Sequence, residues 1–282
     1  MGSTFSLVLF GNDPQGMQAA VQAAFEEAFR LEAMLSMFQP GSEWSRVNRE
    51  ASGGKVEITA ELFDLLSRCG QCSRQSEGAF DISAAPLMRA WGFRKGEGRI
   101  PAEEEIASAL KFVGFRHIVL DSRDRTVRFD LPGVELDPGG IGKGYAVDRM
   151  TEILLRRGCD RALVAASGSS LRAIGCPPEE PRGWPVGIRD PKNPRKTAAE
   201  VFLKDEALTT SGGSEKYFYC AGKVYGHILD PRTGYPAEGR RSVSVITGKA
   251  MDGEAYAKSC FLNGRSWAER HVGGEIRVFF NE

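Results

Sequence analysis

The sequence is short of histidine, with three in 282 residues, and it carries no excess charge, since 37 Lys and Arg face 37 Asp and Glu. Balanced charge excludes a general electrostatic partner such as nucleic acid or an anionic membrane. No apolar run approaches the ~20 residues that a membrane helix needs. The N-terminus has no basic region followed by an apolar stretch, so no secretory leader is visible. Six cysteines scattered over this length make no dense or regular disulfide framework. There is no internal repeat, no low-complexity segment and no clean linker. The length suits one large domain or two small ones with a real core.

What the chain does have is a mixture of hydrophobic periods. Phe5, Leu7 and Leu9 alternate as in a strand, although Met1-Gly2-Ser3-Thr4-Phe5-Ser6 also fits a myristoylation pattern by letter. Residues 14–34 predict a long amphipathic helix with Met17, Val21, Phe25 and Phe29 in the core. Residues 36–48 read as a polar loop, and helices follow over 60–77, 82–91 and 101–112. Cys69 and Cys72 form a C-x-x-C, but Leu62, Leu65 and Leu66 share a helical face around them, which favours a packed helix over a redox pair. A hairpin is expected from 117–120 and 126–129. Further on come a helix over 145–157 and strands at 161–166 and 171–174. The proline-rich stretch 176–198 reads as a surface excursion. Strands at 201–203, 207–211, 216–220, 223–229, 242–247 and 276–280 and a helix over 251–260 complete the pattern. Strands and helices mixed without strict βαβ alternation predict an α+β fold rather than a doubly wound sheet.

Three stretches carry chemistry. In Leu136-Asp-Pro-Gly-Gly-Ile-Gly-Lys-Gly-Tyr-Ala-Val-Asp-Arg149 an acid precedes four glycines, a lysine and the start of a helical pattern. Glycines allow close backbone approach, helix-terminal N–H groups favour an anion, and Lys143 adds a point charge suited to phosphate. The stretch reads as a site for a phosphorylated ligand such as a nucleotide. In the second, His227 and Asp230 flank a strand end and a tight Asp-Pro-Arg-Thr-Gly turn. His227 is either a base beside a carboxylate or a ring bonded to turn backbone. In the third, Gly78-Ala-Phe-Asp81, Asp81 is either an N-cap for the next helix or a ligand contact.

Taken in order, these motifs resemble those of the FAD:protein FMN transferases, the ApbE family of flavin-attaching proteins. The matching stretches are Met1-Gly-Ser-Thr-Phe-Ser, Ser36-Met-Phe-Gln-Pro-Gly-Ser-Glu-Trp-Ser-Arg-Val-Asn, Gly78-Ala-Phe-Asp, Asp137-Pro-Gly-Gly-Ile-Gly-Lys-Gly-Tyr-Ala-Val-Asp and His227-Ile-Leu-Asp-Pro-Arg-Thr-Gly-Tyr-Pro. A weaker match is Ala250-Met-Asp-Gly-Glu-Ala-Tyr-Ala-Lys. The resemblance covers nearly the whole chain and implies one ApbE-like domain over 1–282, which can divide into two subdomains with the ligand site between them. It implies transfer of FMN from FAD to a Ser or Thr hydroxyl of an acceptor flavoprotein, with release of AMP and use of Mg²⁺. Met1, Phe38, Ala79, Phe80 and Asp81 would line the flavin and its ribityl end. Asp137, Lys143 and Ile228 would contact the rest of FAD, Gly140 would offer its carbonyl to the metal, and His227 would take the acceptor proton. Many relatives are exported and lipid-anchored, so a removed leader would place the chain in the bacterial periplasm or on its membrane, and otherwise it is cytoplasmic.

The resemblance breaks at several places. The family's late motif has an Asp and, four residues on, a Thr facing the metal, and here those positions are Glu254 and Lys258. Glu254 keeps an oxygen ligand, whereas a protonated Lys cannot ligate Mg²⁺. Three readings stand: Lys258 takes the metal's place beside Glu254, Asp252 joins Glu254 around an ion, or the pair is a helix-surface salt bridge. Where many relatives have Gly-Gly-Asp, this chain has Ser167-Gly-Ser-Ser170, and Phe38 stands where Tyr is usual. Transfer is the leading expectation. The rivals are hydrolysis of FAD to FMN and AMP, and binding of FAD without catalysis. A dinucleotide oxidoreductase is disfavoured because the βαβ unit and its distal acid are missing.

Overall fold

A computed structural model describes residues 2–94, 96, 98–193, 195–213, 216–239 and 241–281. Its elements in chain order are β1 (Phe5–Leu9), α1 (Pro14–Leu35), α2 (Glu43–Glu50), β2 (Val56–Glu57), α3 (Ala60–Gln75), α4 (Ala85–Ala90) and α5 (Glu103–Leu110). Then come β3 (Ile118–Asp121), β4 (Thr126–Phe129), α6 (Gly142–Arg156), β5 (Ala162–Ala166), β6 (Ser170–Ile174), β7 (Trp184–Arg189) and β8 (Thr197–Leu203). The chain closes with β9 (Ala207–Gly212), β10 (Tyr217–Cys220), β11 (Lys223–Gly226), β12 (Ser242–Thr247), α7 (Ala250–Asn263), α8 (Arg265–His271) and β13 (Arg277–Asn281). The fold is α+β. It forms two compact units, one of Met1–Glu32, Ile141–Gly212 and Arg240–Glu282, the other of Ala33–Gly140 and Gly213–Gly239. Among the described residues no helix is long and apolar enough to cross a membrane.

The first unit is built on a six-stranded sheet in the order β1-β5-β6-β9-β12-β13, with antiparallel pairing throughout. Period-two alternation gives it two apolar faces. Ala162, Val164 and Ala166 of β5 pack with Val147, Met150 and Leu154 of α6 and with Ala20, Ala24 and Ala28 of α1. Ala165, Leu171, Ala173, Leu208 and Ile246 face the other way, onto Trp184, Val186, Ile188, Val201 and Leu203. Those last five belong to the β7–β8 hairpin, so the proline-rich stretch is a covering layer rather than a surface excursion. Its signal was the alternation of Trp184, Val186 and Ile188, all buried.

Two further expectations are corrected. The buried face of α1 is the alanine stripe, whereas Phe29 is 68% exposed. Alanines spaced four apart let the helix lie close against β5, Phe25 packs at the edge of that contact, and Met17 and Val21 are only partly buried. Residues 43–50 are helical rather than a loop. Ser42 caps that helix by accepting the Ser45 N–H at 3.0 Å, and Trp44 and Val47 bury its one apolar edge.

The second unit holds a three-stranded antiparallel sheet, β2-β4-β3, the β10–β11 ribbon and helices α2 to α5. Leu87, Trp91, Ile106, Ala109, Val113 and Leu229 form its buried cluster, edged by Phe218 and Tyr225. Cys69 and Cys72 lie buried on α3 and form no disulfide.

Helices α6 and α7 cross so closely that a Cβ on Gly144 would stand 2.6 Å from the Ala250 carbonyl oxygen. Backbone cannot rotate aside, so Gly144→Ala should cost about 1–3 kcal/mol, more than the ~1 kcal/mol a helix gains from Ala over Gly. Thermal unfolding checks this, and the expected result is a midpoint lowered by several degrees. Thiol labelling gives a second check. Burial pushes Cys69 well up and Cys260 to about 12, while Cys220 is exposed. Iodoacetamide should therefore modify Cys220 in the folded protein, and Cys69 and Cys260 only after unfolding.

Candidate active site

The glycine-rich stretch folds differently from the loop its composition suggests. Pro138–Gly140 makes a single 3-10 turn and α6 begins at Gly142, so Lys143 and Gly144 sit in its first turn. The anion at this helix start is the chain's own. Glu254 of α7, 1% exposed, accepts the Gly144 N–H at 3.0 Å and the Ser170 hydroxyl at 2.7 Å, both on Oε1. Its Oε2 is buried with no hydrogen-bond donor, and the Lys258 ammonium lies 3.7 Å away. Lys258 Nζ also donates to the Glu254 carbonyl at 3.5 Å, so this side chain folds back along its own helix. Beside them Lys143 Nζ donates to the Ser169 hydroxyl at 2.5 Å.

A second buried carboxylate answers the first. Asp148 of α6 accepts the Ala250 and Met251 N–H groups that start α7, each at 2.9 Å, and pairs with Arg172 of β6 at 2.9 Å. Burial pushes its carboxyl up, opposed by the Arg172 charge and the two amides. Each helix start is thus capped by an acid from the other helix.

In the second unit, Asp137 is held by its backbone. Its N–H donates to the Ile82 carbonyl at 2.7 Å, and its Oδ1 accepts the Gly139 N–H at 2.7 Å. The preceding residue is fixed from both sides. Asn48 accepts the Leu136 N–H at 2.8 Å and donates to its carbonyl at 2.9 Å, while Trp44 Nε1 reaches the same carbonyl at 3.1 Å. Sequence reasoning quoted Trp44 and Asn48 within a motif but gave them no task. They fix the backbone at Leu136, next to Asp137.

Asp81 is neither the N-cap of α4, which is Ala84, nor an open carboxylate. Oδ1 accepts the Ser83 N–H and hydroxyl at 2.9 and 2.6 Å, and Oδ2 accepts the Ser73 hydroxyl and Phe115 N–H at 2.8 and 2.7 Å. These four bonds clamp the Ala79–Phe80 turn, whose side chains are buried. Phe38 is 76% exposed and borders a hollow of about 440 Å³ with Met37, Asn48, Arg49, Arg89 and Glu135. Ala79, Asp81 and Asp137 do not line that hollow.

His227 has its N–H and its Nδ1 3.0 and 3.1 Å from the Lys216 carbonyl. A carbonyl only accepts, so Nδ1 carries the hydrogen and in the neutral ring Nε2 carries the lone pair. Asp230 does not orient this ring. Its carboxylate is taken by Arg232 through the backbone N–H, Nε and Nη2 at 2.9, 2.9 and 2.7 Å. Ile228 is buried and its carbonyl accepts the Ala237 N–H at 2.9 Å. The turn closes at Gly234, with φ +80°, where a Cβ would stand 2.6 Å from Ile106. Met1 lies outside the described residues.

Within the first unit, therefore, Lys143, Gly144, Ser169, Ser170, Glu254 and Lys258 are brought together. The pairing of Asp252 with Glu254 is not favoured, because residues two apart point to different faces of a helix. Ser169 and Ser170 were legible only as a lost acid. Asp148 falls at the end of the glycine-rich motif, whose spacing alone does not show its partners.

A model of the ApbE family matches residues 1–280. The chain is 32% identical over 264 residues to the FAD:protein FMN transferase of Treponema pallidum, covering 87% of this chain and 73% of that relative. It is 27% identical over 252 residues to the FAD:protein FMN transferase of Escherichia coli K12, covering 86% and 70%. Among solved structures, the ApbE protein of Thermotoga maritima superimposes with a TM-score of 0.89 at 30% identity, covering 99% of this chain and 91% of that one. The apo flavinyl transferase ApbE of Pseudomonas stutzeri does so with a TM-score of 0.83 at 26% identity, covering 99% and 91%. The α+β fold, the ordered motifs and these likenesses agree: the chain belongs to the ApbE family.

Proposed function

We propose that this chain transfers the FMN moiety of FAD to a Ser or Thr hydroxyl of an acceptor flavoprotein and releases AMP. The observation that carries the proposal is the setting of Lys143. Its ammonium sits in the first turn of α6, and its partner is a hydroxyl rather than a carboxylate. The charge is therefore not neutralised there and is available to a diphosphate.

The step needs positioning, charge neutralisation and one proton acceptor. The acceptor oxygen forms a bond to the phosphorus of the FMN half. The P–O bond to the AMP half breaks, and AMP leaves with the bonding pair. His227 Nε2 takes the hydroxyl proton, its ring held by the Lys216 carbonyl. Phe38 offers an exposed aromatic face for the flavin, and the clamped Ala79–Asp81 turn offers backbone. Asp137 and Ile228 contact the remainder of FAD in this proposal, and Met1 keeps its flavin role from the family resemblance alone.

The family also implies Mg²⁺, with Gly140 and Glu254 as its expected ligands. The residues around Glu254 do not fit it. One carboxylate oxygen is occupied by Gly144 and Ser170, and the other faces an ammonium at 3.7 Å. Like charges about 4 Å apart repel by roughly 4 kcal/mol per unit charge at an effective dielectric of ~20. Mg²⁺ also demands near-octahedral oxygen ligation. Among the described residues no group of three or more His, Cys, Asp or Glu could hold a metal. No step of the transfer is therefore assigned to a metal here.

Incubation with FAD, with and without an acceptor domain, tests the proposal by mass spectrometry. The acceptor should gain the mass of an FMN group. Free FMN with an unmodified acceptor would mean hydrolysis, and tight binding with neither product would mean a flavin binder. Lys143→Ala should weaken FAD binding about 10- to 100-fold, the worth of one charged hydrogen bond. His227→Ala should leave binding near normal and slow transfer about 10²- to 10⁴-fold. Full transfer by His227→Ala would remove it from the reaction.

A further inference from the structure

Two of the places where this chain departs from the family's motifs meet in one network. Ser170, from the stretch that lacks the usual acid, donates to Glu254 at 2.7 Å. Lys258, where the family has Thr, faces the other oxygen of that carboxylate at 3.7 Å. Ser169 receives Lys143 at 2.5 Å, and the next residue, Gly144, gives its N–H to Glu254. A carboxylate this deeply buried has to be neutralised. Two neutral donors serve Oε1, and the ammonium is the cation beside Oε2.

Charge arithmetic shows what the substitutions achieve. With Thr at 258, Lys143 and Glu254 would sum to zero and a divalent ion would be needed to oppose the ligand's charge. With Lys258 the three side chains sum to plus one. The Lys258 side chain is a quarter exposed, and its ammonium lies against Glu254, 3.7 Å from Oε2 and 3.5 Å from the backbone carbonyl.

We propose that the Lys258 ammonium takes the metal's place in this chain, neutralising Glu254 and, with Lys143, supplying the positive charge that the FAD diphosphate meets. FMN transfer then needs no divalent cation. The step is otherwise unchanged: the acceptor oxygen bonds to phosphorus, the P–O bond to AMP breaks, and the proton goes to His227. This inference rests on the transfer reading above for its catalytic half. Its binding half stands apart from turnover.

The test combines both halves. Mn²⁺ is titrated into the FAD-loaded protein and free ion is followed by electron paramagnetic resonance, against FAD alone as blank. The wild type should show no saturable binding. Lys258→Thr combined with Glu254→Asp, which restores the family's pair, should bind one equivalent. In parallel, transfer to an acceptor is measured with EDTA and with Mg²⁺. Wild-type transfer should be the same in both, whereas that of Lys258→Thr should fall on the order of 100-fold in EDTA and recover with Mg²⁺. Lys258→Arg, which keeps the charge, should stay insensitive to EDTA and covers the case in which the Thr variant fails to fold. Stoichiometric Mn²⁺ on the wild type, or loss of its transfer in EDTA, would overturn the proposal. So would a folded Lys258→Thr protein that ignores chelation. If the wild type transfers under no condition, the transfer reading fails while the Mn²⁺ titration still decides the cation.

Discussion

The Glu254 carboxylate takes the Gly144 N–H at the start of α6 and the Ser170 hydroxyl at the start of β6, tying two helices and a strand through one buried charge. Asp148 does the reverse, reaching from α6 to the start of α7 with Arg172 of β6 as its cation. Both acids gain from the partial positive charge of a helix N-terminus, and both have a basic side chain beside them. The reciprocal arrangement fixes how α6 lies on α7, and Gly144 is the residue that lets the backbones approach. It therefore also fixes Lys143, one residue away, on which the functional reading rests.

This constraint separates two roles that a motif alone merges. A carboxylate at position 254 reads in sequence as a metal ligand carried on a longer arm. In the folded unit it is a helix cap whose remaining oxygen faces Lys258. The second unit repeats the lesson with neutral groups. Asn48 and Trp44 hold Leu136, and so Asp137 beside it, while Asp81 accepts four hydrogen bonds from Ser73, Ser83 and Phe115. The polar atoms of these residues are engaged by the protein itself.

Much of the fold was legible because burial follows period. The β3–β4 hairpin, the helix over residues 60–75, and the alternation of Phe5, Leu7 and Leu9 all come from side-chain spacing. The failures have physical causes. On α1 the large residues attract attention, yet the alanine stripe is buried because close helix–sheet packing selects small side chains. The helix over residues 43–50 shows only two apolar positions, and its cap rather than its pattern starts it. In 176–198 the prolines mask an alternation that buries Trp184, Val186 and Ile188. Lys143, His227 and Glu254 stood out by residue type. Their partners did not, because Ser169 and Ser170 come from distant stretches and Lys216 acts through its backbone carbonyl.

The central claim is that an ammonium at the first turn of α6 is where this protein meets the diphosphate of FAD. A crystal structure of the FAD complex measures it directly. The account predicts Lys143 Nζ turned from Ser169 to hydrogen-bonding distance of a diphosphate oxygen, with Glu254 still on Gly144. FAD seated with its diphosphate elsewhere, and Lys143 still on Ser169, would contradict it.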